Sequence, residues 1–245
     1  MRRIILTIII VFYTIITANA QTLRFVRRDS IKYTGKINLD STSVVVDSAG
    51  AVIPYNEWQP IIASGQYRMR FTKSSDGNTV YTLYTLSAAE KDARFAAMPK
   101  PTDSKFFKTG EKIPSFVADD INGNGLKLKK LQGKIVVLNF WFIGCPPCRT
   151  EIPELNKLAL SYANDPDVVF ISIGLDSKYD IENFLKYSSL AYHVVDNGKM
   201  YADMYGINLY PTNVVLDKEG KVRFHTSGYS PNLPYWIKKT IAENK

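Results

Sequence analysis

Cys145 and Cys148 are the only two cysteines of the 245-residue chain, three positions apart in NFWFIGCPPCRTEIPEL, residues 139–155. Two thiols at this spacing interconvert between dithiol and disulfide and pass two electrons to or from a partner through a mixed disulfide. As a structural staple the pair would do little, because it closes too small a loop to constrain the unfolded chain. A zinc centre needs about four ligands. Only His193 and His225 could join the cysteines, without finger-like spacing, so no metal is expected.

The reactivity of such a pair depends on what holds it. KIVVLNFWF (134–142) is a continuous apolar run, suited to a strand buried on both faces. Beyond the cysteines, Ile152, Leu155, Leu158 and Tyr162 recur at helical spacing. The pair therefore stands where a buried strand turns into a helix. At a helix N-terminus, unpaired amides and the dipole favour thiolate over thiol, which makes Cys145 the expected nucleophile. Pro147 suits the first helical turn, where a missing N–H costs nothing. Cys148, one turn in, is expected below the surface as the resolving thiol.

The rest of this half continues the alternation. VVFISIGL (168–175) is a second buried strand, and DIENFLKY (180–187) a helix with Ile181, Phe184 and Leu185 on one side. A short strand at YHVV and a short helix ending near Gly206 follow. TNVVLD and KVRFHTSG flank the turn Asp217-Lys218-Glu219-Gly220 as a hairpin, and a last helix carries Leu233, Ile237 and Ile241 in register. An earlier hairpin is signalled by Asn122-Gly123-Asn124-Gly125 within IPSFVADDINGNGLKL. Strands alternating with helices and ending in a hairpin imply an α/β fold, a mixed sheet flanked by helices.

Upstream the character changes. MRRIILTIIIVFYTIITANA (1–20) has two arginines, an apolar run and a small-x-small ending, the layout of a secretory signal peptide; retention as a membrane anchor is the rival reading. Removing it lowers Lys+Arg from 31 to 29 and the net charge from +8 to +6. These charges are scattered, without the basic-aromatic alternation that single-stranded nucleic acid requires, so nucleic acid is not an expected partner. Export places the thiols in an oxidising compartment. Residues 21–103 hold TLRFVRRDSIKYTGKINL, TSVVVDSAGAVI, GQYRMRFT and TVYTLYTL, rich in β-branched and aromatic residues between turn formers, and predict a small β-rich N-terminal domain in which Trp58 is a core residue. Prolines in MPKPTDSKFFKTGEKIP (98–114) mark the boundary, and 104–245 form the second domain.

Over residues 110–245 the chain resembles the thioredoxin superfamily, and within it the exported TlpA/ResA-like thiol-disulfide oxidoreductases. The resemblance is carried by EKIPSFVADDINGNGLKLKKLQGKIVVLNFW, the CPPC pair, Pro153 inside the following helix and LYPTNVVLDKEGKV at 209–222. Thiol peroxidases would carry Pro and Thr seven and three residues before the reactive cysteine; counted back from Cys145 those positions are Leu138 and Phe142. The resemblance implies a thioredoxin-like fold and a cis proline facing the pair, here Pro211, with the backbone of Tyr210 free to pair with an extended substrate. It further implies that Glu151, three residues after Cys148, handles the proton of the resolving thiol, since Asn139 stands where thioredoxin has a titrating aspartate. Trp141, Pro146, Pro147, Tyr210, Pro211 and Thr212 form the expected substrate-facing set, and Gly144 replaces the tryptophan that commonly precedes the first cysteine.

So read, the protein is an exported protein-disulfide oxidoreductase of the periplasm or cell envelope, with no cofactor beyond the Cys145–Cys148 disulfide. The family implies disulfide-bearing envelope proteins as clients, apo-cytochrome c among them, and a membrane thiol reductase of the DsbD/CcdA kind as electron donor. The direction expected is reduction. An oxidase or isomerase on the same fold is the alternative, and so is a client-binding module with minor redox activity.

Overall fold

The computed structural model describes residues 39–63, 67–74 and 77–245. The signal-like segment at 1–20 and the strand-like stretch at 22–38 lie outside the described residues.

The N-terminal unit is built on three strands, β1 (Val44–Val46), β2 (Tyr67–Lys73) and β3 (Thr79–Thr85), in the order β1-β3-β2. β3 runs parallel to β1 and antiparallel to β2. Trp58 lies buried with Val45 and Leu83 at the centre of this unit's core. The unit also holds two helices, α1 (Tyr55–Ala63) and α2 (Ala88–Ala97), so its expected β-rich character covers only part of it. Tyr55 and Trp58 on α1 meet edge to face at 5.0 Å. α2 starts with a capping box in which Ser87 Oγ accepts the Glu90 amide while Glu90 accepts the Ser87 amide.

In the larger unit β4 (Val117–Asp119) and β5 (Gly125–Lys127) form the expected hairpin. Asp120 accepts the amides of Asn122 and Asn124, both at 2.9 Å, and Gly123 supplies the positive φ of 85° that the turn requires. Then come β6 (Ile135–Trp141), α3 (Pro146–Ser161), β7 (Val168–Gly174), α4 (Lys178–Leu185), β8 (His193–Val195), α5 (Lys199–Met204), β9 (Thr212–Leu216), β10 (Val222–Ser227) and α6 (Leu233–Glu243). Their sheet has the order β10-β9-β6-β7-β8. β6, β7 and β8 are parallel to one another, whereas β9 is antiparallel to β6 and β10 to β9.

β6 is central, and all seven of its residues are buried, six apolar and the seventh Asn139. Ile135 and Val137 face Leu155, Leu158, Ile237 and Ile241 of α3 and α6, whereas Val136, Leu138 and Phe140 face Phe116, Leu126, Ala202 and Tyr205. Burying each large aliphatic side chain contributes about 1.5–3 kcal/mol. Both ends of the strand are thereby fixed, and with them the turn into α3.

Between Met98 and β4 the chain runs without a helix or strand of its own, against β10. Thr226 Oγ1 donates to Thr102 O (2.8 Å), the Gly110 amide to Val222 O (2.7 Å), and the Val222 amide to Glu111 O (2.9 Å). At the start of α6, the buried Asn232 donates Nδ2 to Pro99 O (3.0 Å) and Phe95 O (3.4 Å), tying the end of α2 to the larger unit.

Candidate active site

β6 ends at Trp141, and a short turn delivers Cys145 to the cap position of α3. The Ile143 amide donates to Asp176 Oδ2 (2.7 Å) and the Cys145 amide to Phe142 O (3.2 Å), which fixes the turn. Pro146 and Pro147 occupy the first helical positions, where an N–H would have no intrahelical acceptor. Cys145 and Cys148 form a disulfide, with a Cα–Cα separation of 5.3 Å. Cys145 Sγ accepts the Cys148 amide at 3.2 Å, so the helix start already directs a donor at this sulfur. Such a donor stabilises thiolate when the pair is reduced. Cys148 is fully enclosed and Cys145 is only 3% exposed, while Gly144 and Pro146 beside it are open to solvent. A Cβ on Gly144 would touch only the Phe142 ring, at 3.7 Å.

Glu151 lies one turn beyond Cys148 on the buried side of α3, 3% exposed. Its Oε1 accepts Nδ2 of Asn139 (2.9 Å) and Nδ2 of Asn213 (3.1 Å). Burial pushes this carboxyl up to about 8 from an ordinary 4.5, against the opposing pull of the two amides. Near neutral pH the oxidised protein therefore holds Glu151 largely as the neutral acid, one turn from Cys148.

The Tyr210–Pro211 peptide bond is cis. Tyr210 packs against the cluster that contains both cysteines, and its ring meets Phe142 edge to face at 5.5 Å. Its hydroxyl donates to Ile207 O (3.1 Å), while its backbone N–H and C=O have no hydrogen-bond partner among the described residues. That leaves one donor and one acceptor for an extended segment laid beside the disulfide.

Three members of the expected substrate-facing set, Trp141, Pro211 and Thr212, lie inside. Trp141 is fully buried, tilted against Phe184 at 5.5 Å, and backs the disulfide from within because β6 is enclosed along its whole length. Thr212 is also fully buried; its hydroxyl donates to Leu209 O (2.7 Å) and lies 2.6 Å from Ser227 Oγ. Both shape the site from behind. Pro146, Pro147 and Tyr210 reach the surface, and Pro211 is buried. The histidines stand apart from the sulfurs: His193 pairs with Asp120 at 2.9 Å, and His225 packs near Phe107. Asn213 had no signal in the sequence. It reaches Glu151 only because β9 pairs with β6 in the register that sets it opposite Asn139.

The family model described as AhpC/TSA family matches residues 109–225. The thiol-disulfide oxidoreductase ResA of Halalkalibacterium halodurans is 31% identical over 133 residues, 54% of this chain and 76% of that protein. ResA of Bacillus thuringiensis strain Al Hakam is 35% identical over 122 residues, 49% of this chain and 70% of its own length. Among solved structures, one described as a thiol:disulfide interchange protein DsbE from Chlorobium tepidum is similar with a TM-score of 0.51 and 26% identity, covering 56% of this chain and 98% of that one. The thioredoxin-like arrangement of sheet and helices is thus shared with solved proteins.

Proposed function

The chain belongs to the ResA thiol-disulfide oxidoreductases of the thioredoxin superfamily, and on that premise we propose that it is an exported reductant of disulfides in envelope proteins. The observation that carries this reading is the Cys145–Cys148 disulfide at the start of α3 with the protonatable, buried Glu151 one turn behind it. In the reduced protein the Cys145 thiolate attacks one sulfur of a client disulfide. A bond forms between Cys145 and that sulfur, and the other client sulfur leaves as thiolate and takes up a proton. Glu151, as carboxylate, accepts the Cys148 proton, and the Cys148 thiolate attacks Cys145 Sγ. The bond from Cys145 to the client breaks, and the second client sulfur leaves as thiolate and takes up a proton from water, completing the dithiol. The client gains two electrons, the pair becomes the disulfide, and the proton stays on Glu151. When a donor dithiol reduces the pair, Glu151 returns that proton to the departing Cys148 sulfur.

Tyr210 and Pro146 form the contact surface for an extended client segment. Disulfide-bearing envelope proteins, apo-cytochrome c included, are the clients that fit this role. A membrane thiol reductase of the DsbD/CcdA kind is the fitting donor. Replacing Cys145 with Ser abolishes insulin-disulfide reduction on this mechanism, and full retained activity would rule it out. Replacing Cys148 with Ala leaves the first step intact, so a mixed disulfide between Cys145 and a client accumulates on a non-reducing gel.

A further inference from the structure

Glu151 sits on α3, but its hydrogen bonds come from two strands. Asn139 on β6 and Asn213 on β9 are direct register partners, so their side chains leave the sheet on the same face. Asn139 Nδ2 donates both to Glu151 Oε1 (2.9 Å) and to Asn213 Oδ1 (3.0 Å). Asn213 Nδ2 donates to the same Oε1 (3.1 Å) and, more loosely, to Oε2 (3.4 Å). Two amides thus converge on one carboxyl oxygen and leave the other nearly free. Asn139 commits its amino group to this cluster while its own Oδ1 stays buried without a partner among the described residues. An unpaired buried carbonyl oxygen costs free energy, so the arrangement spends stability on directing donors at Glu151.

We infer that Asn213 is a positioning residue for proton transfer: with Asn139 it holds Glu151 Oε1 as an acceptor, so that the proton taken from Cys148 resides on Oε2. The inference rests on the assignment of Glu151 as acceptor of the Cys148 proton. The transfer itself balances simply, the Cys148 S–H and the Glu151 carboxylate becoming a thiolate and a carboxylic acid. What Asn213 adds is which oxygen takes the proton and at what pH. The groups that face Glu151 leave it as the one titrating there near neutrality when the pair is oxidised. β6 and β9 present amides, β7 presents Ser172 opposite Asn139, and Tyr192 and Tyr229 are both pushed above the ordinary tyrosine range, first of all by burial. Cys145 and Cys148 are joined in the disulfide.

The test uses Asn213→Leu, which removes the amide while keeping the same branching and number of heavy atoms, and follows the Glu151 carboxyl by carbon-13 NMR in the oxidised protein, beside the pH profile of insulin-disulfide reduction. Loss of donors to the anion disfavours it, so the titration midpoint rises by about one pH unit, a tenfold change in ionised fraction, and the ascending limb of the rate profile moves up with it. Asn213→Ser, which keeps a hydroxyl donor, gives a smaller rise and decides the matter if the leucine variant does not fold. An unchanged carboxyl midpoint in the folded variant overturns the role of Asn213. Glu151→Gln separates the two assignments: if that variant keeps the ascending limb, Glu151 is not the proton acceptor and the inference falls with that reading. If the limb disappears in Glu151→Gln while Asn213→Leu leaves the midpoint in place, only the inference about Asn213 fails.

Discussion

Replacing Glu151 with Gln tests the electrostatics of the site through folding, independently of any client. The native carboxyl titrates at about 8, against 4.5 for the ordinary group, because burial penalises its charge more than the Asn139 and Asn213 amides relieve it. Between those two values the folded protein keeps a proton that the unfolded chain has released. The unfolded state then binds fewer protons, so stability is complete below pH 4.5 and is lost as pH rises toward 8. The span is about 3.5 pH units, and at ~1.4 kcal/mol for each the loss is about 5 kcal/mol. Solvent screening takes little from this figure, since the side chain is only 3% exposed. Domain stabilities are typically ~5–15 kcal/mol, so the effect is large enough to dominate the alkaline side of the profile. The amide that replaces the carboxyl in the variant has no charge to lose. Urea unfolding of the oxidised wild type and of Glu151→Gln, from about pH 4.5 to 9 with the disulfide intact, gives the difference directly. The wild type loses ground steadily between about pH 5 and 8 and levels off above. Two stability curves that stay parallel over that range would refute the argument, and so would a wild type that gains on the variant as pH rises.

Other outcomes follow from features remote from Glu151. A Cβ at Gly198 would lie 2.4 Å from Ile173 Cγ2 and 2.8 Å from the Gly174 carbonyl oxygen; the backbone atom cannot yield, so Gly198→Ala lowers stability by about 1–3 kcal/mol in a thermal melt. Asn232→Leu strips the Phe95 and Pro99 carbonyls of their side-chain donor, and limited proteolysis then cuts faster in the stretch after Met98 than in the wild type. The reduction potential of the pair, equilibrated against a dithiothreitol series, falls below about −250 mV for a reductant, and a value near ~−120 mV would reverse the proposed direction of electron flow.

What the sequence made legible were the features set by local pattern. The run from Ile135 to Trp141, apolar except at Asn139, is buried at every residue, as a central strand covered on both faces demands. The Asn122–Gly125 turn and the helical register of Ile152, Leu155 and Leu158 are local in the same sense, and both are present. α1 and α2 lie between and after stretches whose aromatic and β-branched residues point to strands, and they carry no comparable apolar pattern. Pro60 inside α1 argues further against a helix, yet the Ser87 and Glu90 spacing at the start of α2 is a capping-box signature that could have been found. The interior positions of Trp141 and Thr212 depend on which side of the sheet is covered. The Asn213 contact depends on the register between strands 74 residues apart. Neither is written in any short window.

The segment that follows Met98 also determines where this protein can be lengthened by another chain. An outer strand of a sheet offers a row of unpaired amides and carbonyls to any extended peptide, and uncontrolled pairing there leads to fibres or clumps. Here Gly110 and Glu111 bond to the Val222 backbone, and Thr102 accepts from the Thr226 hydroxyl, so β10 is covered at both of these points by the molecule's own chain. The opposite margin, His193–Val195, is only three residues long. Within the five-stranded sheet, an extended peptide therefore finds little at either margin, whereas the Tyr210 backbone beside the sulfurs has no hydrogen-bond partner among the described residues.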